Sequence, residues 1–128
     1  MKETVIKVLK IAPGAHPEVV ALKNNLTSLQ EAVSIGADYR GLIEIINLDA
    51  STCIIANEEG KLIGLTPNRR IGNDILCGVF YVAGQDKHGN LISITDMALQ
   101  RYSALFYEIE DISAEEVDST IFVTFRTL

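Results

Sequence analysis

Ile75–Gly84 is the longest uncharged apolar run in the chain, and it narrows the choice of fold more than any other stretch. It falls well short of the roughly 20 residues that a helix needs to cross a bilayer. Its composition is that of a core β-strand, and its glycines predict a bulge or the close approach of another element. Around it lie shorter β-branched segments separated by turn residues: Thr4–Ile11 ending at Pro13-Gly14, Pro17–Leu22, Leu42–Asn47, Thr52–Ala56 and Leu91–Ile94. Such punctuation predicts hairpins and a mostly antiparallel sheet. Leu42–Asn47 and Thr52–Ala56 read as an antiparallel pair of central strands, with Glu44 and Asn47 near an edge or end.

Two segments carry a helical period instead. Leu26, Leu29, Ala32 and Val33 form one stripe behind the capping-box spacings Thr27-x-x-Gln30 and Ser28-x-x-Glu31, with Gly36 placed as a left-handed C-terminal cap. Thr95-Asp96 opens the second helix, where Ala98, Tyr102, Leu105 and Phe106 share a face. The expected architecture is α+β: a mostly antiparallel sheet of five to seven strands with two helices packed against it. Residues 1–106 form this single domain. Residues 107–128 form an acidic extension, solvated at first and ending in a strand at Ile121–Phe125 that pairs with a sheet edge of its own or of a second copy, a route to a homodimer.

A chain of 128 residues with 22% charged residues buries a core without metal or disulfide. The net charge of -6 is concentrated at the end: residues 1–100 carry -2 and residues 101–128 carry -4. With no basic face, nucleic acid is not an expected partner, and neither is a membrane. Lys2, Glu3, Lys7 and Lys10 interrupt the N-terminal apolar segment, which argues against a secretory signal and for a cytoplasmic location. Cys53 and Cys77 lie inside apolar runs and read as small buried hydrophobes.

Polar side chains cluster without a core or helix period in one place, Ala56–Arg70. Asn57-Glu58-Glu59-Gly60 reads as a hairpin turn with glycine at positive φ, and Pro67-Asn68 as a turn initiator. Arg69 or Arg70 is placed to pair with Glu58 or Asp74. Beside Asn68 and Lys61, the arginines form the concentrated positive charge of an acidic chain, and a guanidinium fork suits carboxylate or phosphate. Lys61, Asn68, Arg69 and Arg70, with Asn57 and Glu58, are therefore the candidate ligand site for a small anionic ligand or an acidic partner segment.

No catalytic constellation accompanies it. Gly60-Lys61 lacks the spacing of a phosphate loop, His16 and His88 lie in separate turns without metal-ligand spacing, and no nucleophile elbow occurs. No cofactor and no metal are expected. The favoured function is a non-catalytic binding or accessory protein. Two alternatives stand beside it: a sequestering protein for a nucleotide signal, and a small enzyme using Glu58 or His88 on an anionic substrate.

Asn57–Leu65, Pro67-Asn68-Arg69 and Gly78–Gly84 resemble the signature of an uncharacterised family of small proteins encoded by phages, plasmids and bacteria carrying mobile elements. The similarity spans about residues 4–106. It implies a mobile-element accessory role and carries no activity with it.

Overall fold

The computed structural model describes residues 4–127, with side chains through Ile121. In chain order the elements are β1 (Val5–Ile11), β2 (Glu18–Lys23), α1 (Leu26–Ala32), β3 (Ile43–Asp49) and β4 (Thr52–Asn57). There follow β5 (Pro67–Ile71), β6 (Asp74–Cys77), β7 (Phe80–Gln85), β8 (Leu91–Ile92), α2 (Asp96–Leu105) and α3 (Ala114–Thr127). The fold is α+β.

The main sheet runs β2-β1-β7-β4-β3, with β8 also paired to β7, and every pairing is antiparallel. Strand alternation sends Ile6, Val8, Cys53, Ile55, Tyr81 and Ala83 to one face, where Leu29 and Val33 of the α1 segment cover them. Leu9, Ile11, Ile54, Ala56, Phe80 and Val82 face the other way, under Tyr102 and Phe106. Burial on both faces accounts for the continuous apolar runs in β4 and β7. β3, read as central from its composition, is an edge strand, and Glu44 and Asn47 lie on that edge.

Ile75–Gly84 is two strands rather than one. At Gly78 the backbone takes φ +87, a left-handed bend that ends β6 and starts β7. β6 then pairs with β5 in a separate two-stranded sheet, while β7 enters the centre of the main one. Pro67–Arg70, expected as a loop, is most of β5.

Both expected helices form. In α1 the cap is Asn25, whose side chain accepts from the Ser28 N–H at 2.8 Å, in place of Thr27 or Ser28. The helix ends at Ala32 with Val33 as its cap, so Gly36, at φ +88, lies in the following turn. Thr95 caps α2 as expected, but Leu105 points to solvent and Leu99 packs in its place.

The C-terminal segment overturns the expected strand, and with it the route to a homodimer by strand pairing: Ile121–Phe125 belongs to helix α3. Ser113 accepts the Glu116 N–H at 3.2 Å, the first half of a capping box. Ile112 before the cap and Val117 in the next turn are buried in one cluster with Leu65, Ile75 and Cys77, a hydrophobic staple that fixes the helix against β6.

Candidate functional site

Asn68 and Arg69 lie in the interior, 0% and 1% exposed. The Asn68 amide donates to the carbonyls of Ile11 and Gly78, both at 2.9 Å, and its oxygen accepts from Arg69 Nη1 at 2.7 Å. The Arg69 guanidinium donates to the carbonyls of Phe106 (3.1 Å from Nε, 3.0 Å from Nη2) and Ala15 (2.7 Å). Burial lowers its pKa, and the charge of Glu110 partly offsets this. Backbone carbonyls satisfy this fork as a carboxylate or phosphate would, which leaves it no face for a ligand. Asn68 and Arg69 therefore leave the candidate site.

Arg70 points outward and is engaged by the acidic extension. Its Nη1 meets Glu110 Oε1 at 2.6 Å, and its Nη2 meets Glu116 Oε1 at 2.6 Å. Glu110 also accepts from the Arg70 backbone N–H at 2.9 Å. The expected partners Glu58 and Asp74 are not used. The extension thus supplies the counter-charge of Arg70 on β5, and it is not simply solvated.

Lys61, Asn57 and Glu58 come together elsewhere, in a cleft of about 280 Å³ between the turn after β4, the β5–β6 hairpin and α3. Glu44 of β3, Asp74, Leu62, Ile75, Leu76, Cys77 and Ile121 complete its lining. The turn is a run of short helical bonds, Gly60 N–H to Asn57 and Ile63 N–H to Glu59, rather than a hairpin. Gly60 is needed there for space and not for positive φ: a Cβ would lie 2.5 Å from the Cys77 carbonyl oxygen. Asn57 braces the cleft wall. Its amide donates to the Val33 carbonyl at 3.3 Å and its oxygen accepts the Glu59 N–H at 2.9 Å.

The electrostatics of the cleft are acidic. Lys61 pairs with Asp74, so that ammonium is neutralised within the chain. Glu44 and Glu58 have no ion-pair partner among the described residues. Partial desolvation, then the charges of Asp74 and Glu58, push the Glu44 pKa above its ordinary value, and Lys61 only partly opposes them. Two carboxylates without an ion-pair partner among the described residues, in a cleft also lined by Leu62, Ile75 and Leu76, suit a cation on an aliphatic stem. No cluster of metal-ligating side chains occurs among the described residues.

Glu44 was missing from the sequence-level site because it lies 14 residues before Glu58 on another strand. The β3–β4 register, which sets Glu44 opposite Ala56, is what brings it to the turn. Cys53 and Cys77 are buried and free, and burial pushes the Cys53 thiol up to about 11. Among the described residues no helix is long and apolar enough to cross a membrane.

Neither the curated proteins nor the solved structures compared with this chain include a match. A family match does exist, and it takes in every strand and both helices that cover the main sheet. Residues 6–107 match the DUF3846 domain, and the chain belongs to that family, whose domain is one of unknown function.

Proposed function

We propose that this chain is a non-catalytic binding module, and that its recognition site is the cleft between the Asn57–Lys61 turn, the β5–β6 hairpin and α3. The observation that carries the proposal is the pair of carboxylates, Glu44 and Glu58, without an ion-pair partner among the described residues, in one cleft with the internally neutralised Lys61–Asp74 pair. The group they suit is an alkylammonium or alkylguanidinium: the head meets the carboxylates and the stem lies along Leu62, Ile75 and Leu76. The volume, about 280 Å³, is that of a site for one side-chain-sized group.

This reading departs from the expected anionic ligand because Asn68 and Arg69 donate to backbone carbonyls and Arg70 pairs with Glu110 and Glu116. The mobile-element setting implied by the family resemblance belongs to this proposal, and recovery of the coding sequence within integrated phage or plasmid regions tests it.

Calorimetric titration with Nα-acetyl-lysine amide and butylguanidine, against butyrate and butyl phosphate, tests the binding reading. The cations bind, and a Glu44→Gln/Glu58→Gln variant weakens them about five- to tenfold. Binding by the anions alone, or cation binding unchanged in the double variant, refutes it.

A further inference from the structure

The outer edge of β3 is open, and the chain protects its two sheet edges differently. At the other edge, β2 is entered by Pro17 and left through Lys23, two residues that discourage strand addition. β3 has neither proline nor lysine.

The ladder fixes which of its groups are free. Glu58 N–H donates to the Leu42 carbonyl at 2.9 Å, and the register continues through Glu44↔Ala56 and Ile46↔Ile54. In an antiparallel strand the N–H and C=O of one residue point the same way and alternate along the chain. The backbone groups of Leu42, Glu44 and Ile46 therefore face β4, and those of Ile43, Ile45 and Asn47 face outward. No described residue pairs with the outward groups.

This edge adjoins the cleft through Glu44. A strand added outside β3 meets Glu44 as a non-hydrogen-bonded pair, the kind in which Cα atoms approach to about 4.5 Å and side chains are closest. The residue opposite Glu44 projects to the same face of the sheet, toward Glu58 and Asp74. Charge identifies the occupant. β3 carries the acidic residues Glu44 and Asp49 and no basic one, and Glu44 shares its cleft with Glu58 and Asp74, so a segment with a basic residue opposite Glu44 complements this edge, and a second copy of β3, which offers no basic residue, does not.

We infer that β3 is a docking edge for an extended segment of a partner protein, which pairs with Ile43, Ile45 and Asn47 and delivers a lysine or arginine into the cleft opposite Glu44. This rests on the cleft reading above and adds the backbone component and the register. Main-chain bonds supply the affinity and the single basic side chain the specificity, as in strand addition generally.

The test uses fluorescein-labelled peptides as long as β3, 7 residues, of alternating valine and threonine with lysine, arginine, alanine or glutamate at the centre. Binding is read by anisotropy on the whole chain, beside calorimetry with Nα-acetyl-lysine amide. Ile45→Pro removes one outward N–H and leaves the β3–β4 bonds in place, since proline is tolerated at outward positions of an edge strand. A thermal melt of each variant verifies folding.

The lysine and arginine peptides bind, the glutamate peptide is at least about tenfold weaker, Ile45→Pro abolishes peptide binding while leaving acetyl-lysine amide bound, and Glu44→Lys abolishes both. Peptide binding that survives Ile45→Pro overturns the docking edge and leaves the cleft reading standing. Peptide binding that survives Glu44→Lys but not Ile45→Pro overturns the cleft reading. A dimer by light scattering that dissociates in Ile45→Pro, with no peptide bound, overturns the inference in favour of a second copy.

Discussion

Arg69 holds the carbonyl oxygen of Phe106 from two nitrogens, Nε at 3.1 Å and Nη2 at 3.0 Å, and so caps the C-terminal end of α2 from β5. Phe106 is the cap residue of that helix, where the partial negative charge of the helix dipole gathers. The same guanidinium donates to Ala15 in the β1–β2 turn, so one side chain joins the hairpin, α2 and the β1–β2 corner. Its charge stabilises architecture rather than a ligand.

Replacing Arg69 with methionine keeps the stem and removes the donors. The carbonyls of Phe106 and Ala15 and the oxygen of Asn68 then lose their buried partner, at a cost of about 3 kcal/mol or more. Arg69→Lys recovers little, because a single ammonium cannot reach the separated acceptors in the plane of the fork. Urea denaturation measures both, and a methionine variant of native stability contradicts the assignment.

Tyr102 donates to Asp49 Oδ2 at 2.6 Å, joining α2 to the end of β3. This bond, then the Ser51 backbone, lowers the Asp49 pKa below its ordinary 3.8. The sign follows: stability from the ionised carboxylate is fully present above 3.8 and lost as pH falls through the lower folded value. Tyr102→Phe costs about 1 kcal/mol at neutral pH, given the exposure of Asp49. The difference from the native chain shrinks in acid below that range, and a constant difference across pH rules out the ionised acceptor.

Arg70 ties α3 to the hairpin through exposed pairs with Glu110 and Glu116, so this attachment is sensitive to salt. Glu116→Gln speeds amide exchange in α3 at low salt and leaves the main sheet unchanged. High salt brings the native chain toward the variant. Equal protection of α3 at both salt concentrations excludes an electrostatic latch.

Glu44 works in the opposite sense from Asp49. Its folded pKa is raised above the ordinary 4.5, so the stability it contributes is fully present below 4.5 and is lost as pH rises through the folded value. Glu44→Gln is thus equal to or more stable than the native chain at pH 7. A bound cation needs the ionised form, so affinity for Nα-acetyl-lysine amide rises across the same window and flattens above it. Affinity that falls with rising pH disproves the pairing.

The strands of the main sheet, both covering helices and the Thr95 cap were legible because period-2 and period-3.6 patterns report directly on which face is buried, whereas the β5–β6 hairpin was not. α3 was misread from the β-branched composition of Ile121–Phe125, although Ser113-x-x-Glu116 carried a capping signal ahead of Val117 and Ile121. Composition alone did not show that the run after Asp74 divides at Gly78, since a strand break inside an apolar stretch depends on which sheet each half joins.

Part of the proposed cleft was legible. Glu58 and Lys61 line the cleft because a polar turn between strands leaves its side chains at the surface, and Asn57, buried at the end of β4, lines it from within. Asn68 and Arg69 were misassigned because buried and exposed arginines look alike in sequence. Only the carbonyls of Ala15 and Phe106, far away in the chain, show that Arg69 is structural. Glu44 entered through register, which sequence does not display.

The most direct measurement of the central claim is a two-dimensional amide NMR titration of the whole chain with Nα-acetyl-lysine amide, repeated with butyl phosphate. The cleft reading predicts saturable shifts from the lysine amide at Glu44, Glu58, Leu62 and Ile75–Cys77, and no saturable shift from the phosphate. Saturable shifts from butyl phosphate at Lys61 or Arg70, with the cleft carboxylate segments silent toward the amine, contradict it and restore an anion as the ligand.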